Sequence, residues 1–422
     1  MKLRWVQPQD VLGTLGGVRF VLLTAWILPG LLLAADWPQF LGPHRDSRSS
    51  ETGLLATWPK NGPPLVWQRP IGAGFSGAAV AGNRLVVFHR VGDKEVVACL
   101  DAATGQEQWQ FAYSTAYHDD FGKGEGPRAT PLIAGDRVYT LGAEGRLLGL
   151  ELASGKKIWE RALNTDYQAP KGFFGVATSP VLEGNVLLVN VGGRHAGIVA
   201  LDKDTGKEAW RATEHEASYA SPVVATIHGK RRAIFFTREG IVLLDPRTGQ
   251  VVYSKHWRAR MHASVNAASP VVTDDLVFFS ACYGTGALLL QVGTDGIHEV
   301  WTSGSAMSNH YDTCIQNNGY LYGFDGRQEE GAKLRCIELK TGKVRWTDDH
   351  PGCGSMILAE GNLIILTENG ELLLVEANPV AYKEKARAQV LTAPCRSPIA
   401  LADGRLYGRD TTKLACWNLK RQ

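Results

Sequence analysis

One hairpin motif recurs along the chain with constant internal spacing. It consists of an acidic residue, two variable residues, Thr or Ser, Gly, three variable residues and an aromatic ring. Its five copies begin at Asp101, Glu151, Asp202, Asp245 and Glu338. They end on Trp109, Trp159, Trp210, Tyr253 and Trp346. A repeat of roughly 40–50 residues in strand-rich sequence is typical of a β-propeller.

The motif has a physical explanation as a tight hairpin between two strands. A short, mostly apolar run precedes each copy, as in Val96–Asp101 and Ile198–Asp202. Glycine supplies the positive φ that a tight turn needs, and the acidic side chain can accept hydrogen bonds from turn N–H groups. The aromatic residue then lies on the outgoing strand, where a large ring can fill the space between two blades.

A second signature marks where each repeat begins. Ser or Thr followed by Pro leads into a hydrophobic strand at Thr130-Pro131, Ser179-Pro180, Ser221-Pro222, Ser269-Pro270 and Ser397-Pro398. Weaker copies are Gly77-Ala78, Thr313-Cys314 and Ser355-Met356. Proline suits only the start or edge of a strand because it has no N–H to donate. The sequence therefore predicts an all-β protein: an eight-bladed β-propeller of four-stranded antiparallel blades.

The last repeat, Arg396–Leu419, has room for only three strands. Leu65–Arg69 is an isolated strand near the other end, with Trp67 at the motif position. We predict that this N-terminal strand completes the last blade and closes the ring, which removes exposed sheet edges. The inter-blade aromatic set is then Trp67, Trp109, Trp159, Trp210, Tyr253, Trp301 and Trp346. The predicted organisation is a signal peptide (1–35), an N-terminal extension (36–64) and the propeller (65–422).

The first 35 residues resemble a secretory signal peptide. Lys2, Arg4 and Arg19 precede the apolar run Phe20–Ala35, which Pro29 interrupts. We predict a periplasmic or secreted monomer without stable membrane insertion after cleavage; an uncleaved anchor is the alternative. The net charge is +3 and there is no run of Lys and Arg, which argues against a nucleic-acid partner.

Two of the seven cysteines occupy equivalent positions. Cys353 and Cys395 each lie two residues before the start of a repeat, in adjacent blades. A disulfide between them fits this placement, and two separate thiols are the alternative. No Cys-x-x-Cys pattern indicates a zinc or haem site.

The acidic-x-x-Thr-Gly-x-x-x-Trp hairpin resembles the repeat of PQQ-like β-propeller proteins, and the resemblance covers about 65–419. That family includes quinoprotein dehydrogenases and the assembly lipoprotein BamB. The dehydrogenases hold pyrroloquinoline quinone (PQQ) with Ca²⁺, a stacking Trp, adjacent cysteines and an Asp base. Here no two cysteines are adjacent and no Ca²⁺ ligand set can be assigned, so we expect no PQQ, Ca²⁺ or other cofactor. The signal region also lacks the cysteine that a lipid anchor requires.

Titratable residues cluster in the loops that join one blade to the next. Those loops share one face of a propeller and converge on the channel mouth. The histidines in them are His118, His215, His262, His310 and His350. We predict a ligand-binding site on this axial face, formed by His118, Arg128, Tyr219, His262, His310, Tyr311 and Asp312. Metal binding, acid–base chemistry and simple solvation of the loops all remain open.

The sequence thus predicts an exported binding or scaffold protein for a protein or small-molecule ligand, with no catalytic residue assigned. The alternative is an enzyme at the axial face, either a quinoprotein-like oxidoreductase or a metal-assisted one. Fold analogy alone does not choose between these functions.

Overall fold

The structure is a computed structural model that describes residues 35–122 and 124–421. Within those ranges it contains 32 strands, one short helix, α1 (Leu163–Asp166), and one 3₁₀ turn at Gln328–Glu330. The predicted signal peptide lies outside the described residues except for Ala35. Residues 34–422 form one compact unit, so the extension at 36–64 belongs to the same unit as the propeller.

The strands form eight four-stranded antiparallel sheets in chain order. The first strand is β1 (Leu65–Pro70). Blade 1 contains β2 (Ala79–Ala81), β3 (Arg84–Val91), β4 (Lys94–Asp101) and β5 (Glu107–Ser114). Blade 2 contains β6 (Leu132–Ala134), β7 (Arg137–Leu141), β8 (Arg146–Glu151) and β9 (Lys157–Ala162). Blade 3 contains β10 (Val181–Glu183), β11 (Val186–Gly193), β12 (Ala196–Asp202) and β13 (Glu208–Ala212). Blade 4 contains β14 (Val223–Ile227), β15 (Lys230–Phe236), β16 (Gly240–Leu244) and β17 (Val251–His256).

The second half of the ring repeats this order. Blade 5 contains β18 (Val271–Thr273), β19 (Leu276–Ala281), β20 (Gly286–Val292) and β21 (Ile297–Ser303). Blade 6 contains β22 (Ile315–Asn317), β23 (Tyr320–Asp325), β24 (Lys333–Glu338) and β25 (Val344–Asp348). Blade 7 contains β26 (Gly354–Ala359), β27 (Asn362–Thr367), β28 (Glu371–Glu376) and β29 (Glu384–Gln389). Blade 8 contains β30 (Ala400–Ala402), β31 (Arg405–Arg409), β32 (Lys413–Asn418) and β1.

The eight-bladed fold and the closure of the ring are both confirmed. In blade 8 the strand order is β1-β32-β31-β30, and β1 pairs antiparallel with β32. Trp67 stands opposite Cys416 in that pairing. The N-terminal strand therefore supplies the outermost strand of the last blade, as the short final repeat predicted.

Burial changes from the middle of each blade to its rim. All five residues of β16 are buried, because both of its sheet faces are covered by neighbouring blades. The outer strand β5 alternates instead, with Trp109, Phe111 and Tyr113 less exposed than the residues between them. This alternation places one face of each outer strand against the next blade and the other face in solvent.

The acidic residue of the hairpin motif fixes the turn, and the glycine of the motif contacts the preceding blade. In blade 3, the Asp202 carboxylate accepts the Thr205 hydroxyl (2.7 Å) and the Thr205 N–H (2.9 Å), which fixes the turn. The Thr205 hydroxyl bond, followed by the backbone bonds, lowers the pKa of Asp202. Gly206 follows with φ +68°, and a Cβ there would come within 2.7 Å of the Trp159 ring of blade 2. Glycine is thus required both for the turn and for the space that the preceding blade's tryptophan occupies.

The same contact recurs around the ring. Each of the six tryptophans at the motif position donates its indole N–H to a backbone carbonyl in the turn of the next blade. The pairs are Trp67 with Ala102 (3.1 Å), Trp109 with Leu152 (2.9 Å), Trp159 with Lys203 (2.8 Å), Trp210 with Pro246 (3.1 Å), Trp301 with Leu339 (2.9 Å) and Trp346 with Asn378 (2.8 Å). Tyr253 packs beside the core cluster shared by blades 4 and 5.

Blade 7 departs from this pattern. Its outer strand carries Ala386 opposite Leu374, where blade 6 has Trp346 opposite Cys336. Trp58, from the N-terminal extension, is buried in the core cluster that contains Ala386 and Leu374. The extension thus supplies an indole ring beside blade 7, which has Ala386 instead of an aromatic residue at the motif position.

Residues 36–50, here called the plug, cross the hairpin face of the ring. Trp37 pairs with Val80 of blade 1, and Pro38 accepts the Ile133 N–H of blade 2 (2.8 Å). On the far side, the Ser49 N–H donates to the Leu358 carbonyl of blade 7 (2.9 Å). These backbone contacts span the ring, so the plug closes the central channel on this side.

Arg45 fixes the plug inside the channel. Its buried guanidinium donates to the carbonyls of Ser179 (3.2 Å), Pro180 and Pro222 (2.9 Å), at the starts of blades 3 and 4. Burial lowers the pKa of Arg45 to about 9. The side chain therefore remains charged at neutral pH and is neutralised by backbone dipoles.

Replacing this anchor should destabilise the protein. Arg45→Ala leaves the three buried carbonyls without this donor, and an unsatisfied buried group costs about 1–3 kcal/mol. The expected result is a clearly lower melting temperature in a thermal unfolding experiment. Arg48→Ala is the matched control, because Arg48 is exposed and its side chain donates to Gln316 over 3.3 Å. Equal melting temperatures for the two variants would contradict the anchoring role.

Candidate functional site

A cavity of about 550 Å³ lies on the ring axis, at the face that carries the blade-connecting loops. The plug residues Phe40, Leu41 and Ser47 line it together with residues of the loops and inner strands. Because the plug closes the opposite face, the cavity is a cup with one opening. We call it the axial cup; its size is typical of small-molecule sites.

One side of the axial cup is aromatic. Phe121, Phe173 and Phe174 form a cluster with ring centroids 5.3–6.5 Å apart, and Tyr219 lies 5.8 Å from Phe174. With Phe75 these residues form what we call the aromatic wall. Phe121 is 53% exposed and Met261 56% exposed, so the mouth of the cup presents apolar surface to solvent.

The opposite side is polar and comes from blades 5 to 8. His310 bonds the Tyr283 hydroxyl through Nε2 (2.8 Å) and the Gln328 amide oxygen through Nδ1. Burial lowers the pKa of His310, which favours the neutral ring at physiological pH. The Tyr311 hydroxyl lies 3.7 Å from the Cys353 Sγ, and burial raises the pKa of Tyr311 well above its ordinary value.

Each arginine that lines the axial cup already has a carboxylate partner. Arg128 pairs with Asp119 (3.1 Å) and lies over the rings of Phe75 (5.2 Å) and Phe174 (5.5 Å). The other two pairs are Arg327 with Glu329 (3.4 Å) and Arg396 with Glu368. The arginines are thus held in place and largely neutralised by these carboxylates.

Asp312 is different. It lines the cup, and its carboxylate makes no hydrogen bond or ion pair with any described residue. Burial first, and then the charge of Glu368, raise the pKa of Asp312 well above its ordinary value. Asp312 lines the cavity, so the structure holds an acid without a partner among the described residues at the cavity surface.

The structure brings together five of the seven residues predicted for the axial site. Arg128, Tyr219, His310, Tyr311 and Asp312 all line the cup. His262 is not a lining residue but contacts the aromatic wall, 6.2 Å from Phe173. His118 lies away from the cup: it is exposed, and its Nδ1 is 2.9 Å from Glu125.

The other two histidines named from the sequence also lie outside the cup. His215 bonds the Thr237 hydroxyl (2.9 Å). His350 is exposed beside Asp348, whose hydrogen bond raises the pKa of the imidazole. Together with Asp349 these residues could offer three ligand atoms to a metal, but the group lies at the end of β25 and just after it, outside the cup.

Several lining residues were not predicted. The plug residues carry no repeat signal, so nothing in the sequence placed Phe40 and Leu41 on the axis. The adjacent pair Phe173-Phe174 lies in a blade-connecting loop, and Arg396 directly precedes Ser397-Pro398. Arg128 and Tyr219 each lie two residues before a Ser/Thr-Pro pair, whereas Phe173, Phe174 and Arg396 lie at other distances from theirs. The position that selected Arg128 and Tyr219 therefore does not select these three residues.

The disulfide between Cys353 and Cys395 is absent, and both are free, buried thiols. The Cys353 Sγ donates to Glu368 (3.2 Å), while the Cys395 Sγ donates to the Thr392 carbonyl (3.4 Å). Burial raises the pKa of Cys395 to about 12, so this thiol stays protonated. The prediction of a disulfide from equivalent positions in neighbouring blades is therefore wrong. Each sulfur is directed to a different acceptor and not to the other sulfur.

The repeat architecture matches a known family. The sequence model of a family described as outer membrane protein assembly factor BamB matches residues 48–169 and 93–348, which is more than half of the chain. The chain belongs to this PQQ-like propeller family.

Individual relatives agree with that membership. BamB of Xanthomonas campestris is 27% identical over 262 residues, which cover 60% of this chain and 62% of the relative. The quinohemoprotein alcohol dehydrogenase ADH IIB of Pseudomonas putida is 32% identical over 136 residues, which cover 30% of this chain and 18% of the relative. The match thus spans less than two thirds of either relative.

Among solved structures, quinohemoprotein alcohol dehydrogenase from Comamonas testosteroni superposes with a TM-score of 0.65 at 14% identity. The superposition covers 92% of this chain and 81% of that one, and shows a shared fold. Over residues 35–122 and 124–421, no helix combines the length and apolar character needed to span a bilayer.

Proposed function

We propose that this protein is an exported, non-catalytic binding protein whose axial cup receives the aromatic or apolar part of a ligand. One observation carries the proposal: the ring encloses a cup that is closed at its floor by the plug and walled by aromatic rings. Exposed apolar surface at the mouth, such as Phe121 and Met261, is typical of a binding site rather than of an inert surface.

The relatives support a binding role. Those named BamB are described as factors in outer membrane protein assembly, a task that implies contact with other proteins. We propose by analogy that the ligand is carried by, or acts together with, a protein partner in the periplasm or outside the cell. The predicted signal peptide motivates this location.

Three titratable groups in or beside the cup, those of His310, Tyr311 and Cys353, are poorly suited to catalysis. General acid–base catalysis needs a group whose pKa lies near neutrality and which is free to exchange a proton. Both ring nitrogens of His310 are already hydrogen-bonded, and its pKa is lowered. Burial raises the pKa of the Tyr311 hydroxyl and of the Cys353 thiol, so neither is activated as a nucleophile.

The donor set of the cup does not fit PQQ and Ca²⁺. That quinone carries several carboxylates, whereas the arginines of the cup are already paired and its one unpaired group is the acid Asp312. No tryptophan lines the cavity, and the one cluster of three metal-ligand groups among the described residues lies elsewhere. We therefore propose that the cup works without a quinone.

Binding by the aromatic wall can be tested with small neutral aromatic probes. Saturation-transfer NMR with indole and 2-phenylethanol should show transfer from the wild-type protein. The Phe121→Ser, Phe173→Ser double variant should lose most of that transfer, because it removes two rings of the cluster at the mouth. Val380→Ser is the matched control, since Val380 is 77% exposed and lies outside the cup. Absence of transfer from wild type, or equal transfer from the double variant, would refute the proposal.

A further inference from the structure

One charged residue that lines the axial cup is left without a partner among the described residues. Arg128, Arg327 and Arg396 are each matched by a carboxylate, whereas Asp312 has no partner among the described residues. An ionised carboxyl group that is removed from water without a partner is unfavourable. An uncompensated acid facing a cavity therefore marks a place where a ligand can supply the missing positive charge or hydrogen-bond donor.

None of the side chains around Asp312 supplies the positive charge or the hydrogen-bond donor that its carboxylate lacks. The charge that acts on its pKa is that of Glu368, which adds repulsion rather than a donor. Glu368 already accepts from Arg396 and from the Cys353 thiol, so those two donors are engaged elsewhere. Tyr311, the next residue in the chain, directs its hydroxyl towards Cys353. The open side of Asp312 is the cavity.

We propose that the axial cup binds an organic cation: a protonated amine on an aromatic or apolar body, with the ammonium group at Asp312 and the body against the aromatic wall. This inference rests on the proposed function, that the cup binds a ligand at all, and adds the charge and chemical class of that ligand. An ammonium group offers three N–H donors to a carboxylate, and charge-assisted hydrogen bonds are among the strongest in proteins.

The aromatic residues on the polar side favour an organic cation over a bare metal ion. Tyr283 and Tyr311 line the cup with Asp312, and aromatic faces attract cations. The Tyr283 ring already has the Arg327 guanidinium 5.1 Å from its centroid, so the ring offered to a ligand's ammonium group is that of Tyr311. A divalent metal would need several oxygen or nitrogen ligands converging on one point. Among the described residues the only such group is Asp348, Asp349 and His350, which does not include Asp312. A cavity of about 550 Å³ also has room for the body of a molecule, not only for an ion.

Three probes that share one aromatic body and differ in charge separate the alternatives. Isothermal titration at about pH 8 would compare 2-phenylethylamine, 2-phenylethanol and 3-phenylpropanoate. The amine is expected to bind roughly tenfold or more tightly than the alcohol, and the carboxylate most weakly. Asp312→Asn should abolish the preference for the amine but retain binding of the alcohol. Asp349→Asn, at an exposed position outside the cup, should leave all three affinities unchanged.

The outcomes distinguish this inference from the function on which it rests. If amine and alcohol bind the wild-type protein equally, or if Asp312→Asn keeps the preference, the cation inference is wrong and the binding function stands. Preferred binding of the alcohol would mean that Asp312 acts as a neutral, protonated donor. If none of the three probes binds, the proposed function fails together with the inference.

A stability measurement tests whether Asp312 is truly unpaired. The groups facing it are Tyr311, Cys314, Cys353, Glu368 and, through Glu368, Arg396. The pKa of Asp312 is raised in the folded protein, so its ionisation destabilises the fold. This loss of stability is absent below the ordinary carboxyl pKa and grows as the pH rises above that value. Asp312→Asn should therefore have a higher melting temperature than wild type at about pH 8, and the gap should close near pH 4. A lower melting temperature at pH 8 would show that Asp312 has a partner and would remove the basis of the inference.

Discussion

Deleting residues 36–70 is expected to abolish cooperative folding. The deletion removes β1, which leaves β32 as an unpaired edge and opens the ring between blades 8 and 1. It also removes the plug and Trp58. The channel is then open on the hairpin face, and the apolar core beside blade 7 that Trp58 covers becomes exposed. Exposed strand edges promote association between chains. Size-exclusion chromatography and circular dichroism should show aggregated protein without a sharp thermal transition.

The control is a chain of residues 35–422, which retains every strand and helix of the propeller as well as the plug. It should be monomeric and unfold in one transition. Adding back β1 alone, in a chain of residues 64–422, would separate the strand from the plug. That chain should be less aggregation-prone than the full deletion but less stable than the control. A monomeric, cooperatively unfolding 71–422 chain would show that ring closure is not needed.

The second large effect concerns the tryptophans between blades. Trp159→Ala is expected to cost about 3–5 kcal/mol of the free energy of unfolding, because a buried ring is lost and a cavity remains. Trp159 is 8% exposed, donates to the Lys203 carbonyl (2.8 Å) and lies 5.9 Å from the Tyr139 ring. Urea unfolding followed by far-UV circular dichroism measures the change. Trp159→Phe should cost clearly less, since most of the ring volume is retained.

A double-mutant cycle tests the contact with the next blade directly. Gly206→Ala alone places a Cβ within 2.7 Å of the Trp159 ring, at a residue with φ +68°, and should be strongly destabilising. In combination with Trp159→Ala the steric conflict disappears and only the backbone strain remains. The double variant should therefore be less destabilised than the sum of the two single variants. Strict additivity would mean that ring and glycine do not interact.

The fold could be predicted from the sequence because every repeat states the same physical requirements. The acidic residue fixes the turn, the glycine adopts a positive φ, and Ser/Thr-Pro begins the inner strand. The missing fourth strand of the last repeat had one candidate, at Leu65–Arg69, and the pairing of Trp67 with Cys416 confirms it. Even the departure in blade 7, with Ala386 in place of the ring, is visible once the pairing is known.

The candidate site could be predicted only where it follows the repeat. Arg128, Tyr219 and Tyr311 were found because they share a position in equivalent loops. His118 was assigned from its loop alone, yet its side chain turns towards Glu125 instead of the axis. Side-chain direction in an irregular loop is set by local partners that a motif does not encode.

The plug could not have been placed from the sequence. Its contacts are chiefly with backbone atoms of distant strands: Arg45 donates to carbonyls that any residue could supply. Because every residue has a backbone carbonyl, the amino-acid sequence does not show which carbonyls accept these hydrogen bonds. The unpaired state of Asp312 was equally invisible, because it depends on how the neighbouring charges are already distributed.

The pairing of β1 with β32 also governs when the ring can be completed. β1 precedes blades 1 to 7 in the chain and β32 follows them, so synthesis delivers β1 well before its partner. Contacts between such distant segments form slowly because a long loop must close. Between the synthesis of β1 and that of β32, β1 has no strand to pair with, although blades 1 to 7 can already form. A chain that stops before Lys413 is therefore not a smaller propeller but an open one.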